Sequence, residues 1–90
     1  MRNASYYLVV FNSKNHAYFL ESLLRKMGYS TSLVQAPKYL TNNCNMAIVI
    51  DEEALETVRE KIRTHRLAVY KIYKHYIEGY KKIYREVKKS

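Results

Sequence analysis

Leu67–Ser90 reads LAVYKIYKHYIEGYKKIYREVKKS, and whether it folds as strand, helix or both decides the architecture. Val69–Tyr73 has the β-branched and aromatic content of a strand. Tyr73, Ile77, Tyr80, Tyr84 and Val87, however, recur at the spacing of one helix face. We read a strand over 68–73 followed by a helix over 77–88.

Working back from that stretch, Met46–Ile50 (MAIVI) and Tyr6–Phe11 (YYLVVF) are apolar on both alternating faces, the pattern of central strands covered on two sides. Between Tyr6–Phe11 and the next strand, Ala17, Leu20, Leu23, Leu24 and Met27 share one helical face. Asn12 and Ser13 are placed to cap that helix and Gly28 to stop it. Tyr29–Ala36 alternates weakly, as an edge strand does, and Pro37 ends its pairing. Leu55, Val58 and Ile62 make the stripe of a second helix, with Asp51 as its cap and Glu52 and Glu53 at the positive end of its dipole.

The order is strand, helix, strand, strand, helix, strand and a C-terminal helix. Right-handed crossovers then give an α+β, ferredoxin-like βαββαβ sandwich with the first and third strands in the middle. We divide the chain into a ferredoxin-like domain, 1–76, and a basic Tyr/Lys-rich helix, 77–90. Two helices cover only one face of such a sheet, so the second apolar face needs a cover. We expect a homodimer in which the C-terminal helix takes part.

The one stretch with marked chemistry is Pro37–Ala47, PKYLTNNCNMA. It holds the sole cysteine, Cys44, and the sole proline. Asn42, Asn43 and Asn45 tolerate left-handed backbone and bond their own main chain, so the run reads as a shaped loop entering a strand. A proline, a basic residue, a short polar run, a cysteine and a small-residue entry to an apolar strand resemble the motif of the selenium/sulfur carrier-like family of small bacterial proteins. The likeness runs from Tyr6 to about Lys74 and centres on Pro37, Lys38, Thr41, Asn42, Cys44 and Ala47. In that family Arg is usual at Lys38, Ser at Thr41 and Asn42, and Gly at Asn45. A glycine after the thiol admits a partner's backbone, whereas Asn45 keeps access to positive φ but narrows the approach. The resemblance implies the same fold and a carrier role for Cys44, with a sulfur or selenium donor or acceptor protein as partner.

In the expected topology Cys44 shares one end of the molecule with Lys14, His16, Lys38, His65 and Arg66. Lys14 and His16, in the first turn of the first helix, are then the groups to favour the reactive thiolate. The plainer readings are that a lone cysteine packs as a small hydrophobe and that His16 is a half-buried helix residue. No ligand spacing links His65 or His75 to Cys44, so we assign no metal and no cofactor. Capping accounts for Asp51, Glu52 and Glu53. With no phosphate loop, serine elbow or paired catalytic carboxylate, we do not read an enzyme.

Ninety residues make one small domain, and sixteen Lys and Arg against eight Asp and Glu give a net charge of +8. The longest apolar run near the N-terminus is too short for a signal peptide or membrane span, and a single cysteine builds no disulfide framework. A cytoplasmic protein is expected. Half of the basic residues follow His65, with only Glu78 and Glu86 against them. Tyr73, Lys74, Tyr80, Lys81, Lys82, Tyr84 and Arg85 therefore form the alternative site, a module for RNA or an acidic protein. Its plain counterpart is a solvated basic face whose tyrosines pack on the sheet.

Overall fold

A computed structural model describes residues 5–41 and 45–89. The elements are β1 (Tyr6–Phe11), α1 (Lys14–Lys26), β2 (Thr31–Gln35), a 3-10 turn (Lys38–Leu40), β3 (Met46–Ile50), a 3-10 turn (Glu52–Ala54), α2 (Leu55–His65), β4 (Val69–Glu78) and β5 (Lys81–Val87). The five strands form one antiparallel sheet in the order β2-β3-β1-β4-β5. β1 and β3 lie inside the sheet, as their two-sided apolarity requires.

The helices form where the apolar spacing placed them. The Ser13 hydroxyl accepts from the His16 amide, and Ala17, Leu20 and Leu24 are buried. Met27 stays 47% exposed, because the chain is already leaving the helix toward Gly28 at φ +94°. In α2, Leu55, Val58 and Ile62 are buried as expected. Asp51 makes no side-chain cap bond, since a 3-10 turn intervenes and Ala54 takes the cap position. Both helices pack on the face carrying Tyr7, Val9, Phe11, Ile48, Ile50 and Ile72. Complete burial of a Val, Leu or Ile side chain contributes about 1.5–3 kcal/mol, so this layer is the principal source of stability.

The helix expected over 77–88 does not form. β4 continues to Glu78 and turns back at Gly79–Tyr80, and β5 pairs with it from Glu78↔Lys81 to Ile72↔Val87. Gly79 takes φ +64° at the first position of a two-residue loop, the glycine-first pattern of a type II′ hairpin turn. Inside a helix the same glycine would cost about 1 kcal/mol against alanine. The strand expected over 68–73 is thus longer, and the 76/77 division falls within it.

The sheet's second face is covered by the chain itself. Leu8, Val10, Ala36, Ala47 and Tyr73 are buried there, with Val34, Leu40, Val49, Tyr70 and Tyr84 packed against them. Leu40 comes from the β2–β3 connection, which folds back over the sheet.

Candidate functional site

The β2–β3 connection is closed by the Ala36 N–H, which donates to the Asn45 carbonyl at 2.8 Å, one step beyond the Gln35↔Met46 pair. Pro37, at φ −58° and ψ 139°, leads into a single 3-10 turn over Lys38–Leu40. Within it the Leu40 amide donates to the Pro37 carbonyl (3.0 Å) and the Thr41 amide to the Lys38 carbonyl (3.3 Å). Thr41 is extended and buried. Asn42, Asn43 and Cys44 lie outside the described residues.

Besides the packing of Leu40, a hydrogen bond and a ring contact bind the turn to the sheet. The Tyr73 hydroxyl donates to the Leu40 carbonyl at 3.4 Å, and the Tyr39 ring meets Tyr84 edge-on with centroids 5.9 Å apart. Tyr84 in turn contacts Tyr73 and His75, and Tyr6 stacks on His75 at 4.3 Å. A row of rings on β1, β4 and β5 is therefore the platform against which the Lys38–Leu40 turn lies. Burial raises the Tyr84 phenol far above its ordinary pKa, with the neighbouring Tyr6 and Tyr39 adding to the shift. Burial also raises Tyr73, against an opposing pull from Lys71. Lys71 is raised by its hydrogen bond and ion pair with Glu86, at 3.3 Å. Tyr39, Leu40, Tyr6 and His75 are not singled out by the sequence as site residues, and Tyr73 and Tyr84 only as part of the alternative basic site. The one available signal was an apolar pair, Tyr39–Leu40, inside a polar loop.

The other expected site residues divide between the two faces. The strand register sets Phe11, Gln35, Met46 and Val69 at one end of the sheet, the end where α1 begins. Lys14 is exposed in the first turn of α1. His16 accepts the Ala68 amide on Nδ1 at 2.8 Å, and the Asn12 amide donates to the Ala68 carbonyl at 2.8 Å. These residues belong to the helix side, whereas Lys38–Leu40 lie over the opposite face. His16 thus ties α1 to the start of β4 through a ring nitrogen that must be unprotonated to accept. Asn45 does not use left-handed backbone, since Arg66 is the one non-glycine residue with positive φ among the described residues.

The alternative basic site is also divided. Register sets Tyr73, Lys82 and Tyr84 on the loop side, and Lys74, Lys81 and Arg85 on the helix side. Tyr73 is buried, and the Lys74 ammonium stands over the Tyr7 ring. Tyr80, Lys81, Lys82 and Arg85 are exposed. Among the described residues no three His, Cys, Asp or Glu side chains are grouped to hold a metal ion, and no helix is long and apolar enough to cross a membrane.

Comparison with curated proteins and with solved structures returned no match. Comparison with protein families returned the one described as Putative Se/S carrier protein-like, whose model matches residues 6–74 and so takes in the whole Pro37–Ala47 loop. The chain belongs to this Se/S carrier-like family.

Proposed function

We propose that this protein carries a sulfur or selenium atom on Cys44. The observation that supports the reading above all is the family match, which spans most of the chain and includes the loop with its sole cysteine. In this reading the first four strands and two helices are a ferredoxin-like frame for that loop. Pro37 and the 3-10 turn set its path, Thr41, Asn42 and Asn45 shape its far side, and Lys38 gives it a cation. Lys14 adds positive charge at the start of α1, and His16 fixes the frame by holding β4.

The chemistry is an exchange without net oxidation. The Cys44 thiolate attacks the terminal sulfur of a donor persulfide, a new S–S bond forms on Cys44, and the donor leaves as its own thiolate. Delivery to an acceptor thiolate is the reverse, and the selenium case replaces the moving sulfur by selenium. With no second cysteine in the chain, the loaded atom cannot be lost to an internal disulfide. The thiolate is the reactive form, and a reducing, cytoplasmic setting preserves it. The protein acts as a stoichiometric carrier rather than an enzyme.

The test is to expose the folded protein to glutathione persulfide and follow its mass, beside Cys44→Ser. A gain of one sulfur atom on the wild type alone, removed by a thiol acceptor, is expected. An alkylation rate that shows Cys44 reacting only after unfolding would sink the reading.

A further inference from the structure

The large apolar side chains left exposed among the described residues fall into two sets. Tyr18, Phe19 and Met27 lie on α1, each less than half exposed, and Tyr39, Ile77 and Tyr80 lie on the loop and the β4–β5 hairpin. In the second set Tyr39 is 74% exposed and Tyr80 wholly so. Register makes that set continuous. Tyr39 abuts Tyr84, Tyr84 is paired with His75, and the next pair on the same face is Ile77↔Lys82. Among the described residues β1 pairs with β4 no further than Tyr6↔His75.

On this face the free charge is positive. The ion pairs among the described residues are Glu21–Arg25, Glu56–Arg59 and Lys71–Glu86, which leaves Lys38 and Lys82 without a carboxylate partner, while Lys81 stands opposite Glu78 on the helix side of the hairpin. Exposed aromatic and aliphatic groups bordered by unpaired cations are the composition of a protein-recognition patch. We infer that Tyr39, Ile77 and Tyr80, bordered by Lys38 and Lys82, dock an acidic protein surface that presents apolar side chains among carboxylates. The inference rests on the carrier reading for the partner's role as sulfur donor or acceptor, but not for the contact itself.

Charge decides among occupants. A two-fold pairing of copies sets the same patch against itself, which would bring Lys38 and Lys82 close to their own copies. A single-stranded nucleic acid stacks successive bases on a row of free rings; Tyr80 and Tyr39 are exposed, but the run from Tyr39 to the hairpin passes through Tyr84, engaged by Tyr39, Tyr73 and His75, and through Ile77, which offers no ring. An acidic protein satisfies both the cations and the apolar groups.

The test uses the full chain carrying Cys44→Ser, so that binding is read apart from sulfur loading. The probe is a labelled peptide with Leu and Phe set among Glu and Asp, beside polyglutamate and an oligouridylate of equal charge. The peptide is expected to bind with the highest affinity and to shift amide resonances at residues 38–40 and 76–84. Tyr39→Ala with Ile77→Ala should weaken it about tenfold, as should Lys38→Gln with Lys82→Gln, while Phe19→Ala changes nothing. An unchanged amide spectrum away from the substitutions shows that each variant is folded. Tighter binding of oligouridylate, equal binding of polyglutamate, or association of copies in place of peptide binding would each overturn the inference. Failure of Cys44 to load sulfur while the peptide still binds removes the carrier reading and supports the surface.

Discussion

The Tyr73 hydroxyl donates to the Leu40 carbonyl across 3.4 Å, joining β4 to the loop that leads toward Cys44. A bond of that length is weak, but it also occupies a carbonyl laid against the apolar face of the sheet. Tyr73→Phe keeps the ring and removes the bond, at an expected cost of about 0.5–1 kcal/mol in urea unfolding. Exchange of the Leu40 and Thr41 amides, which close the 3-10 turn, should quicken more than that of the β1 amides. Uniform quickening would mean that the bond stabilises the domain without anchoring the loop.

Gly79 distinguishes hairpin from helix by the sign of one substitution. At φ +64° an added Cβ meets strained backbone although no atom lies within 4 Å of it. Gly79→Ala is therefore expected to destabilise by about 1 kcal/mol, whereas in a helix the same change would stabilise by a similar amount. Gly79→Asn should lie between, because asparagine tolerates that region. Thermal unfolding of the three proteins settles the sign.

The misreading of that segment has a physical cause. Tyr73, Ile77, Tyr80 and Tyr84 suit a helix by spacing, while the face turned inward, buried Tyr73 and His75 with half-buried Tyr84, includes a histidine that hides the period of two. α1 and β1 were legible because Ala17, Leu20 and Leu24, and the run YYLVVF, depend on local pattern alone. The cover of the second face was not, because it requires Leu40, in a polar loop, to meet Tyr73 of β4, 33 residues away. In the candidate site, Pro37, Lys38 and Cys44 stand out by their order in the chain, whereas the ring platform beneath the 3-10 turn arises only when β1, β4 and β5 are side by side.

Tyr84 predicts how stability depends on alkaline pH. Burial, then Tyr6 and Tyr39, raise its folded pKa above the unfolded value of about 10. Its contribution is complete below about pH 10 and drains away as pH rises, since the unfolded phenol ionises first. Tyr84→Phe should flatten this loss, and in the wild type phenolate absorbance should rise together with unfolding. Absorbance of all ten tyrosines appearing before any loss of structure would contradict it.

Two histidines should respond oppositely to one substitution. Nδ1 of His16 accepts the Ala68 amide at 2.8 Å, so His16→Phe strands a backbone donor and should cost about 1–3 kcal/mol. His16→Asn, whose side-chain oxygen is an acceptor at similar reach, should recover part of that loss. His75 is 4% exposed, stacked on Tyr6 and tilted against Tyr84, and its Nδ1 has no hydrogen-bond partner among the described residues. Replacing a buried unpaired polar atom by an apolar ring of like shape is close to neutral or stabilising. His75→Phe should therefore unfold in urea at or above the wild-type midpoint. A marked loss for His75→Phe would show that its Nδ1 has a partner, and an unchanged midpoint for His16→Phe would show that the Ala68 amide finds another acceptor.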